Sequence, residues 1–317
     1  MMSFERFKEK VVNEFLDYFP DAYANATVIT KEVTKNNEVL TGLCLKSDAT
    51  VSVTPVVYLE PAYREMQTTG ISADKIIEDL ADIYLGALSM AEGMKRELAP
   101  KIDADFVKKN VVFRMVNTDL NLKMIQECVH RDVEDLSAVY FVITKMDSRG
   151  CEGFKVEKAM LESFGLTEQE LYECAKVNTP EKMPVKICRI EDILLKSPMC
   201  DPVTRKMIEG SMDSVPEAER VYVVGNETDH FGANVVMFPE VLAEAANKIG
   251  SKCFVIPSSI HEVIVLSAEG MSPDGLKNLI RDTNDNHVAP QDFLSDSVYT
   301  FDPQTLEFAR YDDGLGL

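Results

Sequence analysis

The chain has 317 residues and a formal net charge of −20, with 45% hydrophobic and 27% charged residues. This apolar content excludes a wholly disordered chain, because burying apolar side chains offsets the conformational entropy that folding removes. The excess of acidic residues argues against nucleic-acid backbone binding as the main activity, since phosphate groups demand a concentrated basic face.

The first hundred residues have the pattern of a small α+β domain. Between an N-cap at Ser3 and a stop at Pro20 we predict an amphipathic helix, with apolar residues every three or four positions: Phe4, Phe7, Val11, Phe15 and Phe19. TVITKEVT and EVLTGLCLK predict a hairpin with an Asn-bearing turn, and VSVTPVVYLEP a third strand whose Pro55 indicates an edge or a bulge. A long helix starts near Ser72, and its apolar stripe includes Ile76, Leu80, Ile83 and Tyr84.

The middle of the chain alternates between strands and helices. VVFRMV and LSAVYFVIT predict strands on either side of a helix, DLNLKMIQECV. Two further helices follow, FKVEKAMLESF and LTEQELYECAKVN, and Thr167 with Glu170 forms a capping box at the second. PVKICRIEDILL predicts a strand that runs into a short helix.

The C-terminal third predicts six strands: RVYVVG, ANVVMF, KCFVIP, EVIVLS, SVYTF and LEFAR. One helix begins at Pro239 and ends before Gly250; another has Ser272 as its cap and Pro273 at its first position. The fold class we predict is α+β, with mixed, largely antiparallel sheets and helices packed on one face. Similar helix starts after Gly70, Gly165 and Gly270 raise the hypothesis of repeated β-β-α units, although unrelated helices also begin in this way.

The length favours two domains at about 150 residues each, with one large domain as the alternative. We place an N-terminal α+β domain at 1–100 and a C-terminal α+β domain at 101–317. Within the second, residues 196–219 contain three prolines and few large apolar residues, which predicts a long loop.

The cysteines and the N-terminal segment predict a cytoplasmic protein. The first residues lack the apolar core of a signal peptide, and no run approaches the roughly 18 apolar residues of a membrane span. The seven cysteines are dispersed and form no CxxC pair, which supports neither a zinc site nor a redox dithiol. We therefore expect reduced thiols and neither a metal nor a cofactor.

Several common catalytic motifs are absent from the sequence. It contains no glycine-rich phosphate loop, no HExxH and no GxSxG. His130, Arg131 and Asp132 match three letters of the kinase catalytic loop, but Val133 and Ser137 stand where that loop requires Leu and Asn.

One polar cluster resembles the beginning of a catalytic site. Ser259, His261 and Glu262 lie between two predicted strands, and Asp229 with His230 lies in the polar segment GNETDHFG. A hydroxyl and an imidazole two residues apart would share a face of an extended segment, as a nucleophile and its base require. Two polar turns explain the same residues, and we favour that interpretation.

Several segments together resemble an uncharacterised bacterial family that is known only as a domain of unknown function. They are VTPVVYLEPAYREMQTTGISADKIIEDL, RMVNTDLNLKMIQECVHRDVEDLSAVYFV, GLTEQELYECAKVNTPEKMP, IGSKCFVIPSSIHEVIVL and LSDSVYTFD. More distantly, the second half is similar to the YtpQ-like family, whose residues differ where SSIHE stands here. Neither resemblance implies an activity or a catalytic residue.

Two functional hypotheses follow. The first is a cytoplasmic, non-enzymatic protein-binding or adaptor protein, whose partner has a basic surface or an exposed strand. The alternative is a hydrolase-type enzyme that uses Ser259, His261 and Glu262, and it requires Asp229 or His230 within hydrogen-bond reach of Ser259 or His261 in a concave pocket. The expected partner is a protein, and neither a nucleic acid nor a membrane.

Overall fold

A computed structural model describes residues 2–46, 55–94, 102–147, 150–198, 200–212, 214–257 and 259–311, with the main chain alone at 90–94. The chain divides into two compact units, Met1–Pro100 and Lys101–Leu317. Within the described residues, no helix is long and apolar enough to cross a membrane.

The first unit combines an antiparallel sheet of three strands with three helices. The strands, in the order β1-β2-β3, are Thr27–Thr34, Val39–Lys46 and Val57–Tyr58. The helices α1, α2 and α3 are Phe4–Glu14, Leu59–Thr69 and Ala73–Met94. The Ser3 hydroxyl accepts a hydrogen bond from the Arg6 amide, and Asn37 turns the hairpin at a φ of 61°. The predicted cap and hairpin are thus confirmed.

The core of the first unit lies between the helices and one face of the sheet. Phe7, Phe15, Leu43, Ile77 and Tyr84 are all fully buried in one cluster. The Tyr84 hydroxyl accepts a hydrogen bond from the Leu45 amide at 2.8 Å, which satisfies a buried polar group on each side.

The second unit contains β4–β13 and α4–α11. The strands β4 to β13 are Val111–Asn117, His130–Val133, Leu136–Asp147, Gly150–Lys155, Val185–Arg189, Tyr222–Asn226, Cys253–Ile256, Val263–Ser267, Tyr299–Asp302 and Glu307–Arg310. The helices α4 to α11 are Ala104–Asn110, Leu122–Glu127, Lys158–Phe164, Glu168–Lys182, Ile190–Lys196, Pro202–Ser211, Pro239–Ile249 and Pro273–His287. A 3-10 helix over Gly232–Met237 precedes α10.

Two sheets form the body of this unit. One has six strands in the order β13-β12-β10-β11-β9-β8; in the other, β6 pairs with β4, β5 and β7. Every pairing between described strands is antiparallel. The predicted α+β class with largely antiparallel sheets is therefore confirmed.

Helices cover both faces of the six-stranded sheet, whereas the sequence predicted one face. Leu242 and Ala246 of α10 pack in the same core as Val255, while Ile280 of α11 packs against Phe254. Because Phe254 and Val255 are consecutive in β10, their side chains point to opposite faces of the sheet.

Several segments differ from the sequence prediction. Phe154 and Lys155, which were predicted to begin a helix, instead end β7, and β5 was not predicted. Leu59, Glu60 and Pro61 begin α2 instead of ending a strand, while residues 51–54 of that predicted strand lie outside the described residues. The predicted long loop at 196–219 contains α9, because the Asp201 carboxylate caps the amides of Val203 and Thr204 and Pro202 suits the first helical position.

A further difference is the segment ANVVMF, which was predicted to be a strand. It forms the 3-10 helix Gly232–Met237, whose buried residues pack in the main core. An apolar run of this length does not distinguish a buried strand from a buried helical turn. The hypothesis of repeated β-β-α units stays a prediction, and the 3-10 helix replaces the second strand in one of its copies.

A buried acid–tyrosine contact connects the two sheets of the second unit. Asp135, in the turn between β5 and β6, accepts hydrogen bonds from the Tyr299 hydroxyl and from Ser297 Oγ, the latter at 2.9 Å. Burial, and then the nearby Asp135 carboxylate, raise the pKa of Tyr299, so its hydroxyl stays protonated and donates.

We expect Tyr299→Phe to lower the free energy of unfolding by about 1.5–3 kcal/mol, because it removes a donor from a partly buried carboxylate. Urea denaturation followed by circular dichroism measures the change. Tyr311→Phe is the matched control, because the Tyr311 hydroxyl has no hydrogen-bond partner among the described residues. Equal losses in the two variants would contradict this role of the Asp135 contact.

Candidate functional site

The turn between β10 and β11 holds three of the residues that the sequence singled out. Ser259 is 7% exposed, and its hydroxyl donates to Glu262 Oε1 at 2.7 Å. The same hydroxyl oxygen accepts a hydrogen bond from the His261 amide at 3.1 Å. Ser259 therefore stabilises its own turn, as serine commonly does in such turns.

The His261 ring is held by a residue that lies 31 positions further along the chain. Its Nε2 is 3.3 Å from Asp292 Oδ1, and the Asp292 carbonyl accepts a hydrogen bond from the Ile260 amide at 2.8 Å. Nδ1 is buried, with no hydrogen-bond partner among the described residues. With the Nε2 proton assigned toward Asp292, Nδ1 is a bare acceptor.

Asp229 and His230 occupy a second turn, at the end of β9. The Asn226 side chain organises this turn by donating to the His230 carbonyl at 2.7 Å and accepting from the Thr228 hydroxyl at 2.7 Å. The Asp229 carboxylate is 3.3 Å from Lys186 Nζ. The His230 ring lies 6.5 Å from the His261 ring, centre to centre.

These contacts do not form the hydrogen bonds on which the hydrolase hypothesis depends. Among the described contacts, Ser259 bonds to Glu262, His261 to Asp292 and Asp229 to Lys186. Asp229, His261 and Glu262 nevertheless line one concave cavity, as that hypothesis expected. The hydrolase hypothesis therefore stays a prediction, without a hydroxyl–imidazole contact to support it.

The cavity is a groove of about 630 Å³ on one face of the six-stranded sheet. Val223, Ile264 and Cys188 contribute apolar surface, and Ile193 and Leu194 of α8 line it while remaining 40% and 45% exposed. A second cavity of about 520 Å³ is lined by Ile187, Arg189 and Tyr222. Both cavities share Cys188, Asp192 and Lys196 in their lining. Lys186 lines only the first and Ile187 only the second, and because neighbours in a strand point to opposite faces, the two cavities extend over opposite faces of β8.

Comparison with known proteins identifies the family. Residues 4–303 match the model of a family of unknown function, DUF5688. The chain belongs to this family. No curated protein and no solved structure matches it. The predicted resemblance to an uncharacterised family is thus confirmed, while the more distant YtpQ-like resemblance stays a prediction.

In this DUF5688 member, sequence reasoning missed two residues near the turns. Asp292 has no local signal, since only folding brings it to His261. Arg114 had a local signal, because a charged residue interrupts the apolar strand VVFRMV. Its Cζ lies 4.7 Å from the centre of the Phe231 ring. Within the described residues, no group of three His, Cys, Asp or Glu side chains is arranged to hold a metal ion.

Close packing at Gly232 fixes the two turns relative to each other. A Cβ atom there would lie 2.1 Å from the His261 carbonyl oxygen and 2.9 Å from Gly225 Cα. The preceding residue, Phe231, adopts a left-handed conformation with φ of 54°, and the Ala233 amide donates to the Ile260 carbonyl at 3.2 Å. The absence of a side chain at Gly232 therefore lets the chain after β9 contact the Ser259–Glu262 turn.

We expect Gly232→Ala to lower the free energy of unfolding by about 1–3 kcal/mol, because the new methyl group overlaps backbone atoms that cannot move freely. Urea denaturation measures the loss. Gly210→Ala, in α9, is the matched control, since a Cβ at that position meets no atom within 4 Å. The control should be neutral or stabilising by up to about 1 kcal/mol; an unchanged stability of Gly232→Ala would refute the contact.

Proposed function

We propose that the protein is a non-enzymatic binding protein that captures an extended segment of a partner protein along the free edge of β8. The observation that carries this proposal is an edge strand with a cavity on each of its faces. An added strand gains affinity from main-chain hydrogen bonds and specificity from pockets that accept its alternate side chains.

The first support for the proposal is the position of β8 at the edge of its sheet. The strand is last in the order of the six-stranded sheet and pairs only with β9 among the described strands. The Glu227 amide donates to the Pro184 carbonyl, and the Ile190 amide donates to the Val221 carbonyl. Since hydrogen-bonded pairs alternate along an antiparallel ladder, Val185 and Ile187 direct their amides and carbonyls away from β9.

The two cavities supply the side-chain pockets. Ile187 lines the cavity of about 520 Å³, whereas Lys186 lines the groove of about 630 Å³ on the opposite face. Successive side chains of a strand point to opposite faces. A partner strand beside β8 would therefore place its side chains alternately in the two cavities.

The lining defines the chemistry of the partner segment. Ile193 and Leu194 offer exposed apolar surface, which suits an apolar partner side chain. Lys196 lines both cavities and has no ion pair among the described residues, whereas Lys186 and Arg189 are paired with Asp229 and Asp192. We therefore propose an extended, largely apolar segment with an acidic residue opposite Lys196. The proposed compartment is the cytoplasm, where reduced cysteines are the ordinary state.

Ile187→Pro tests the proposal, because it removes an outward amide and leaves the bonds to β9 intact. Peptides selected from a random-sequence phage library on the full chain serve as probes, and fluorescence anisotropy measures their binding. We expect Ile187→Pro to weaken binding at least about fivefold, the equivalent of one lost hydrogen bond.

Thr30→Pro is the matched control, because Thr30 also directs its amide away from its only described neighbour, β2, at the edge of the first unit. It should leave binding unchanged. Lys196→Glu should weaken binding of peptides that contain an acidic residue, while Lys206→Glu on α9 should not. If no peptide is enriched, or if selected peptides bind Ile187→Pro as tightly as the unaltered chain, capture along β8 is refuted.

A further inference from the structure

The cavity of about 520 Å³ on the Ile187 face of β8 has more cations than carboxylates in its lining. Among the described residues, these are Arg189, Lys196 and Lys248 against Asp192 and Glu217. This ratio is the reverse of that in the whole chain, which has 33 lysines and arginines against 53 acidic residues. Because the charges that line a concave site attract ligand groups of the opposite sign, this lining favours an anionic group.

Both carboxylates of this cavity are already paired with arginines. Arg189 contacts Asp192 through two nitrogens, at 2.9 and 3.2 Å. Glu217 accepts a hydrogen bond from the Tyr222 hydroxyl and lies 3.0 Å from Arg220 Nε. The charges of the two carboxylates are thus offset by these arginines, and they do not neutralise the two lysines of the lining.

The two lysines are available to an anion. Lys196 has no ion pair among the described residues. Lys248, in α10, has Glu244 of the same helix at 3.8 Å, and the Glu244 side chain is 64% exposed. A pair of this kind on a helix surface contributes little free energy, so the Lys248 ammonium group can turn to a better partner. Two cations, one from α8 and one from α10, therefore line one cavity.

The groove of about 630 Å³ on the opposite face of β8 has the reverse balance of charge. Its described lining has three carboxylates against two lysines: Asp192, Asp229 and Glu262 against Lys186 and Lys196. Asp192 and Lys196 line both cavities, so the difference comes from the other charged residues. The groove also offers apolar side chains: Ile190, Ile193, Leu194, Val223 and Ile264. An acidic side chain would meet like charges there, whereas an apolar side chain would gain from burial.

We propose that the captured segment has an acidic residue on the Ile187 face, between two apolar residues that enter the groove. This proposal rests on capture along β8 and names the class of segment that is captured. Residues opposite each other on neighbouring strands share a face of the sheet, so a carboxylate beside Ile187 enters the cavity of Lys196 and Lys248. The residues before and after it point to the opposite face. Lys248 therefore determines specificity, although it lies outside β8.

Peptides of one composition test the order of the residues. A selected peptide whose binding is weakened by Ile187→Pro is compared with a peptide in which the acidic residue and an apolar neighbour are exchanged. We expect the exchange to raise the Kd at least about tenfold, because the acidic residue then faces Asp229 and Glu262. Fluorescence anisotropy with the full chain measures both values.

This comparison separates the order of the residues from capture itself. An unchanged Kd, or selected peptides without any acidic residue, would overturn the proposed order, while the loss of binding in Ile187→Pro would still support capture along β8. If no peptide is enriched, capture and the proposed order are both refuted.

Charge reversal at Lys248 provides a second readout. We expect Lys248→Glu to weaken binding of the acidic peptide at least about tenfold, and to bind a peptide with lysine at the acidic position more tightly than the unaltered chain does. Lys206→Glu, on α9, is the matched control, because it makes the same change in net charge and Lys206 lines neither cavity. It should alter neither peptide. If the lysine peptide gains nothing from Lys248→Glu, or gains as much from Lys206→Glu, the role of Lys248 is refuted.

Discussion

The contact between Gly232 and the His261 carbonyl is the constraint on which the polar region of the second unit depends. A methyl group at Gly232 would lie 2.1 Å from that oxygen, so the chain after β9 and the turn after β10 approach as closely as backbones can. Two consequences follow along the chain. Phe231 is turned under Arg114, and the Ser259–Glu262 turn is placed at the end of the groove beside β8. One backbone approach therefore places the Ser259–Glu262 turn beside the proposed binding edge.

Because the net charge is −20, a cation without an acidic neighbour is unusual in this chain. In a chain with so many carboxylates, an arginine that is only partly exposed usually has an acidic neighbour, as Arg131 and Arg189 have. Lys196 is exposed, so its lack of an ion pair among the described residues costs little free energy. It therefore indicates only a preference for an acidic residue at an open surface.

Much of the fold could be predicted because its signals are local. The cap at Ser3, the capping box of Thr167 with Glu170, and the helix from Pro239 to Gly250 depend on residues a few positions apart. The strand prediction for ANVVMF was wrong because tertiary packing, and not the pattern, decides between a strand and a 3-10 helix. The candidate site was predicted in part: Ser259, His261 and Glu262 do share a turn. Asp292 could not be found, since its contact with His261 crosses a helix and 31 residues.

The charges at the sheet edges explain why strand capture is assigned to β8 and not to β13 or β1. Unprotected edges invite pairing, and proteins commonly guard them with charged side chains. Glu307 is exposed on β13 and Lys31 on β1, and neither has an ion pair among the described residues. Lys186 is the exposed residue of β8, but its charge is engaged by Asp229, as that of Arg189 is by Asp192. The charged side chains of β8 that would repel a second strand are thus paired with neighbouring carboxylates. The amides of Val185 and Ile187 point away from β9, toward the place that a partner strand would take between the two cavities.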